Sequence, residues 1–211
     1  MGSSGQKCTA TRRIIAVGDA YDDLVPELVA RVEQLVVGDG LAPESQIGPL
    51  VSARAAKEVT AAIDQALSEG AELLGSAPLP TSGAAFVAPT LLAGTPALTI
   101  SREEVFGPVT VVLRARDLDE AIDLANATSF GLTAAVFTCD ERAARRCIRD
   151  LDAGLIKVNA PNTGSELHAP FGGLKDSSFP APREQNAATS ADFFTWSKIA
   201  YSRTGTPRSE A

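Results

Sequence analysis

The segment Gly5-Gln6-Lys7-Cys8-Thr9-Ala10 places a cysteine beside a glycine, with Lys7, Arg12 and Arg13 close by in sequence. The thiolate rather than the thiol is the nucleophile, and nearby cations or a helix N-terminus favour it. The segment is therefore read as a loop entering a helix. Gly5 would permit close backbone approach, and the amides beside Cys8 could hold an oxyanion. A terminal cysteine without a chemical part is the competing reading, and both stay open on these residues alone. His168, the single histidine, lies in Glu166-Leu167-His168-Ala169-Pro170-Phe171-Gly172-Gly173. A dyad with Cys8 is conceivable, because such partners are distant in sequence. His168 reads better as a loop residue facing a cleft.

Glu104 stands in Ser101-Arg102-Glu103-Glu104-Val105-Phe106-Gly107-Pro108-Val109. Ser101-x-x-Glu104 has the form of a capping box. Alternatively, Glu104 and Phe106 on a turn stopped by Gly107-Pro108 could hold a sugar hydroxyl and a flat ring. Spacing does not choose between these. Cys147 falls on an apolar helical stripe and belongs to the core; Cys139 ends a strand beside Asp140. One histidine and no paired Cys/His spacing argue against a structural zinc site, so no metal is expected. No Gly-x-Gly-x-x-Gly follows a strand, and there is no phosphate-binding P-loop.

The elements that must position these residues follow from apolar spacing. Helical stripes run over 24–36, 51–67, 118–125 and 143–151, the third opened by a capping box from Asp117 to Glu120. Short β-branched runs occupy 14–17, 109–113, 134–137 and 155–158. Their alternation predicts an α/β domain with a largely parallel sheet flanked by helices. Residues 176–186 are rich in Ser, Pro and charge. Beyond them, 192–201 reads as an isolated strand with Phe193, Phe194, Trp196, Ile199 and Tyr201. It could pair with another subunit's edge or form an edge of the same domain.

Bulk properties narrow the classes further. A net charge of -7 disfavours nucleic acid or an anionic membrane surface as partner. The apolar runs are broken by charge well short of a membrane span, and residues 1–4 lack the regions of a signal peptide. Three cysteines at irregular spacing make no disulfide framework, which points to a reducing cytoplasm.

Several segments occur in a telling order: Gly5-Gln6-Lys7-Cys8, Ile47-Gly48-Pro49-Leu50, Val87-Ala88-Pro89-Thr90-Leu91, Glu103-Glu104-Val105-Phe106-Gly107-Pro108-Val109, 126–132, Val158-Asn159 and Pro170-Phe171-Gly172-Gly173-Leu174-Lys175. Together they resemble the catalytic domain of the NAD(P)-dependent aldehyde dehydrogenase family, collinearly over nearly the whole chain. The resemblance implies a catalytic domain over 1–185 and a tail over 186–211 carrying an oligomerisation strand, hence a homo-oligomer. It implies that Cys8 attacks a small-molecule aldehyde to give a thiohemiacetal and then a thioester. Glu104 would hold the nicotinamide ribose hydroxyls of NAD or NADP, and Phe106 would position the ring. Phe171 would line the substrate tunnel, with Thr9, Ser165, Glu166 and His168 at its inner end or mouth. The runs 2–11, 177–179 and 182–185 resemble those of α-ketoglutaric semialdehyde dehydrogenases.

In that family the cofactor domain, the general-base glutamate and the oxyanion-hole asparagine precede the cysteine, so none is expected in this chain. The expectation is that these 211 residues alone bind no cofactor and are inactive. Two alternatives are a non-catalytic assembly module and a residual thiol esterase. Pro180 and Pro182 also depart from the family's approach to the tail and suggest a different path there.

Overall fold

The computed structural model describes residues 1–79, 83–164, 166–178 and 187–202, with the side chains of 187–189 and 193 left aside. A short 3₁₀ turn, Gly2–Gly5, precedes β1 (Arg13–Val17), α1 (Ala20–Glu33), α2 (Ala53–Ser68), β2 (Glu72–Ser76), β3 (Thr90–Ala93), α3 (Thr99–Arg102) and β4 (Val109–Ala115). Then follow α4 (Leu118–Asn126), β5 (Phe130–Gly131), β6 (Thr133–Val136), α5 (Glu141–Asp150), β7 (Leu155–Val158), β8 (Leu174–Lys175) and α6 (Ala187–Phe194).

The main sheet has the order β1-β4-β3-β2. Strand β4 runs parallel to both β1 and β3, while β2 closes the far edge antiparallel. Strands β6 and β7 form a separate parallel pair, and β5 and β8 an antiparallel one. The expected largely parallel α/β architecture is what forms.

β4 is nearly continuous in buried apolar residues because helices cover both sheet faces. Val109, Val111 and Leu113 pack with Leu92 of β3 and with Val59 and Ala66 of α2. Val112 and Leu91 face the other way, against Val32, Leu28 and Val29 of α1. The period of two along each strand thus feeds two separate cores. Capping fixes the helix starts: Ser52 accepts from the amide of Ala55 at α2, and Asp117 from that of Glu120 at α4. The Asp117–Glu120 box is only half made, since the Glu120 carboxylate accepts from the amide of Arg116 instead.

Two sequence expectations need correction here. Ser101-x-x-Glu104 is not a capping box. Helix α3 spans only Thr99–Arg102, and Ser101 sits inside it, buried, donating to the Thr95 carbonyl at 2.8 Å. Gly107-Pro108 follows too soon for a helix to start at Ser101. The strand expected over 192–201 is not formed either. Residues 192–194 end helix α6, and 195–202 join no ladder among the described residues. A strand needs another strand's N–H and C=O groups, and no described strand pairs with the tail. Finally, β2 was not anticipated, because Glu-Leu-Leu-Gly-Ser lacks β-branched residues and its register shifts between Leu73 and Gly75. Among the described residues no helix is long and apolar enough to cross a membrane.

Candidate active site

Cys8 is exposed on a turn, Lys7 to Ala10, closed by the Ala10 amide donating to the Lys7 carbonyl at 3.0 Å. The chain then passes directly into β1. No helix follows the cysteine, so the expected helix N-terminus is absent from this turn. The reason is the β-branched run after Arg13, which prefers the sheet. Upstream, Ser3, Ser4 and Gly5 all adopt positive φ (54°, 54° and 70°). For serine this is a sparsely populated region that persists only where surroundings over-determine it.

Those surroundings are explicit. Ser4 Oγ donates to the Gly48 carbonyl at 2.9 Å, and the Gln6 side chain accepts from the Val51 amide at 2.9 Å. A Cβ on Gly5 would collide with the carbonyl of Gly107. The Ser4–Gln6 segment leading into the Cys8 turn is therefore pressed between the 48–51 segment and the Glu104–Pro108 turn. Segments about 40 and 100 residues apart in sequence become neighbours.

Arg12 links two of the three. Its Nη1 donates to the Gly5 carbonyl at 2.7 Å and the Gly107 carbonyl at 3.3 Å. Its Nη2 donates to the Lys7 carbonyl at 3.1 Å and reaches Glu104 Oε1 at 3.5 Å. The guanidinium carbon lies 5.1 Å from the Phe106 ring centroid, within cation–π range. Burial lowers the pKa of Arg12, opposed by the charge and hydrogen bond of Glu104 and by the charge of Cys8. Arg13 behaves differently. It donates to the carbonyls of Leu124 and Ala125 at 2.8 and 2.9 Å, capping the end of α4. It is thus removed from the cations expected around the thiol, because neighbouring residues on extended backbone point to opposite sides.

Glu104 and Phe106 stay accessible, at 38% for the carboxylate side chain and 45% for the aromatic residue. A carboxylate and a ring on one turn, both reachable from solvent, suit a polyol and a flat group presented together. Thr9 is half-buried in the Cys8 turn. Glu166 and His168 are exposed, and Phe171 is half-buried ahead of Gly172-Gly173; Ser165 lies outside the described residues. Among the described residues no hydrogen bond or ion pair joins His168 to Cys8, so the structure does not build that dyad. The 170–175 segment is instead tied to 126–132. Lys175 Nζ donates to the Asn126 carbonyl at 2.8 Å and pairs with Asp152 at 3.1 Å, while Gly154 packs directly against the Gly172 carbonyl.

A cavity of about 400 Å³ opens on the α1 side of the main sheet, lined by Met1, Ile14, Leu28, Val32, Leu91 and Thr110 among others. It does not include Cys8, Glu104 or Phe106 and has no thiol on its wall. Among the described residues no group of three His, Cys, Asp or Glu could hold a metal ion. Cys147 is buried, as expected, and burial raises its thiol pKa.

The profile of the aldehyde dehydrogenase family matches residues 1–199. An alpha-ketoglutarate semialdehyde dehydrogenase of Haloferax volcanii is 42% identical over 205 residues, covering 95% of this chain and 42% of its own length. A succinate-semialdehyde dehydrogenase (NADP(+)) of Deinococcus radiodurans is 41% identical over 180 residues, covering 85% of this chain and 38% of its own. Among solved structures, the methylmalonate-semialdehyde dehydrogenase of Oceanimonas doudoroffii matches with a TM-score of 0.90 at 30% identity, over 97% of this chain and 43% of that one. The succinic semialdehyde dehydrogenase of Streptococcus pyogenes, in complex with NADP+ as the cofactor, matches with a TM-score of 0.78 at 32% identity, over 82% and 38%. The chain spans about two-fifths of the length of these relatives.

Proposed function

The chain belongs to the aldehyde dehydrogenase family, and on that premise we propose that it carries the thiol-bearing part of an NAD(P)-dependent enzyme that oxidises an aldehyde to a carboxylic acid. Cys8 Sγ adds to the aldehyde carbon, and the carbonyl oxygen becomes the oxyanion of a thiohemiacetal. The Cys8 backbone amide helps hold that oxygen. NAD or NADP, which Glu104 and Phe106 would hold, would supply the hydride acceptor. Water then cleaves the Cys8 thioester, releasing the acid and restoring the thiol.

The observation that carries this reading is the junction of the Cys8 turn with the Glu104–Phe106 turn, through Gly5, Gly107 and Arg12. Glu104 would hold the nicotinamide ribose hydroxyls and Phe106 would steady the ring; their accessibility suits both roles. Thr9, Ser165, Glu166, His168 and Phe171 would shape the aldehyde's path. The names of the relatives favour a semialdehyde, α-ketoglutaric semialdehyde foremost. The catalytic unit would comprise 1–185. The tail, 186–211, would join copies of the chain, supported by the near-complete exposure of Trp196 and Tyr201 (98% and 96%). Three free cysteines are in keeping with the cytoplasm.

For the 211-residue polypeptide by itself we propose thiol acylation without NAD-dependent turnover. Correct placement of donor and acceptor is worth about 7–11 kcal/mol of a barrier, and this sequence carries no dinucleotide-binding fingerprint. The test has two arms. An activated ester of a dicarboxylic semialdehyde's acid product should acylate Cys8 faster than Cys139, with the adduct absent in Cys8→Ser. The polypeptide given semialdehyde with NAD or NADP should form no reduced cofactor. Equal acylation of the two thiols would defeat the nucleophile assignment, and ordinary turnover would defeat the second statement.

A further inference from the structure

We propose that Arg12 is the positioning residue of this site, bracing the Cys8 turn against the Glu104–Phe106 turn and setting its cation at the foot of the thiol-bearing turn. The proposal deepens the reading above and rests on it for the roles of Glu104 and Phe106. Its geometric basis does not.

Four hydrogen-bond partners converge on the two Nη atoms: the carbonyls of Gly5, Lys7 and Gly107, and the Glu104 carboxylate. Two of the carbonyls flank Gln6, two residues before Cys8. The other two partners, Glu104 and Gly107, lie on either side of Val105-Phe106. A planar guanidinium presents paired donors in a fixed fork, which is what three carbonyls and a carboxylate in one shell require. An ammonium is a single point of charge and could not hold them all. The Arg12 side chain is only 18% exposed, and its buried Nε has no partner among the described residues. Folding tolerates such an orphan donor where the remaining contacts outweigh it. The packing is organised around the Nη atoms and the Phe106 face, not around full satisfaction of the arginine.

The arrangement has a directional consequence. Glu104 engages Arg12 through Oε1, while Oε2 has no partner among the described residues, so one oxygen anchors the turn and the other is available. Phe106 is backed by the guanidinium on one side and is half open to solvent. Arg12 therefore orients both residues of the outer turn while its guanidinium is held at the Lys7 carbonyl, next to Cys8 in the chain.

The test compares two alkylating reagents of similar size, anionic iodoacetate and neutral iodoacetamide, with each cysteine quantified by mass spectrometry. The quotient of the two rates at one thiol cancels accessibility and mobility and reports local charge. Cys139, which is also exposed, is the internal reference. The expected result is a higher quotient at Cys8 than at Cys139, falling about two- to five-fold at Cys8 alone in Arg12→Ala, as for partly screened charge pairs. Arg12→Lys, which keeps the cation, should retain most of the quotient but increase hydrogen exchange at both 6–9 and 104–107, because the fork is gone. If Arg12→Ala opens the fold, buried Cys147 becomes labelled; Arg12→Gln, which keeps the stem and a donor, then supplies the reading. An unchanged quotient in a folded uncharged variant overturns the proposal. So does Arg12→Lys exchange that rises in neither segment or only one. Failure of aldehyde chemistry would leave these readouts unmoved, so the two failures are separable.

Discussion

The guanidinium carbon of Arg12 stands 5.1 Å from the centre of the Phe106 ring, although 94 residues separate them in sequence. The cation beneath the thiol-bearing turn is thus also the floor of the aromatic ring. A cation–π contact at a partly exposed site contributes about 0.5–1 kcal/mol, so its value here lies in orientation. The proposed chemistry requires the Cys8 and Glu104–Phe106 turns, far apart in sequence, to stay in place against each other, and this pair is one of the pins.

The Gly5–Gly107 contact is another. Gly5→Ala places a methyl into the Gly107 carbonyl at a residue with φ of 70°. The left-handed backbone alone costs about 1–3 kcal/mol, and the collision must add to it. The expected outcome is a clear fall in the urea midpoint together with faster hydrogen exchange at both 6–9 and 104–107. An unchanged midpoint would mean that the two turns are not in contact.

Leu92 is fully buried between α2 and the centre of the sheet. Leu92→Ala should cost about 2–5 kcal/mol, the span set by how far the site can collapse around the cavity. Equilibrium denaturation measures it. A loss below about 1 kcal/mol would indicate that this core is not packed as described.

Glu69 links the end of α2 to the start of α3, the segment leading into the Glu104 turn. It accepts from the Thr99 amide, the Thr99 hydroxyl and Gln65, each at 2.7 Å. The Thr99 hydroxyl is the largest cause of its lowered pKa. With the folded pKa below the unfolded one, the stabilisation is complete above the ordinary carboxylate range and is lost as pH falls through the lowered value. The difference in stability between wild type and Glu69→Gln should therefore shrink on acidification from neutral pH. A difference that stays constant into strong acid would refute the linkage.

Removing 187–211 should reduce self-association, because Phe194, Trp196, Ile199 and Tyr201 expose large apolar surfaces of the kind that mark contact sites. Sedimentation of the intact and shortened chains at matched concentration decides the matter. The same number of chains per particle in both would remove the tail from the assembly.

Much of the α/β pattern was legible in the chain. Val109–Leu113 carries its β-branched run, α2 its apolar stripe and α4 its Asp117 cap, and each signal is local to a few residues. β2 was not legible, since Glu-Leu-Leu-Gly-Ser is recruited by the edge of β3 and not by its own propensity. Nor was the tail, whose aromatic residues fit a strand but find no strand to pair with among the described residues. At the site, the sequence singled out Cys8, Glu104 and Phe106, yet weighed Arg12 and Arg13 alike as nearby charge.

The sequence by itself determined the chemistry available: an exposed-type cysteine beside a glycine, a carboxylate and an aromatic on one Gly-Pro turn, and a family order shared with its relatives. Residue types and short-range spacing suffice for that. Only the tertiary structure decided that Arg12 joins the Cys8 and Glu104 turns while Arg13 caps α4, and that Gly5 must be glycine because Gly107 lies against it. Both depend on long-range contacts and on which side of the backbone a side chain leaves. Side-chain direction reverses with every residue of extended chain, so a one-residue difference in sequence becomes a difference between two faces of the sheet.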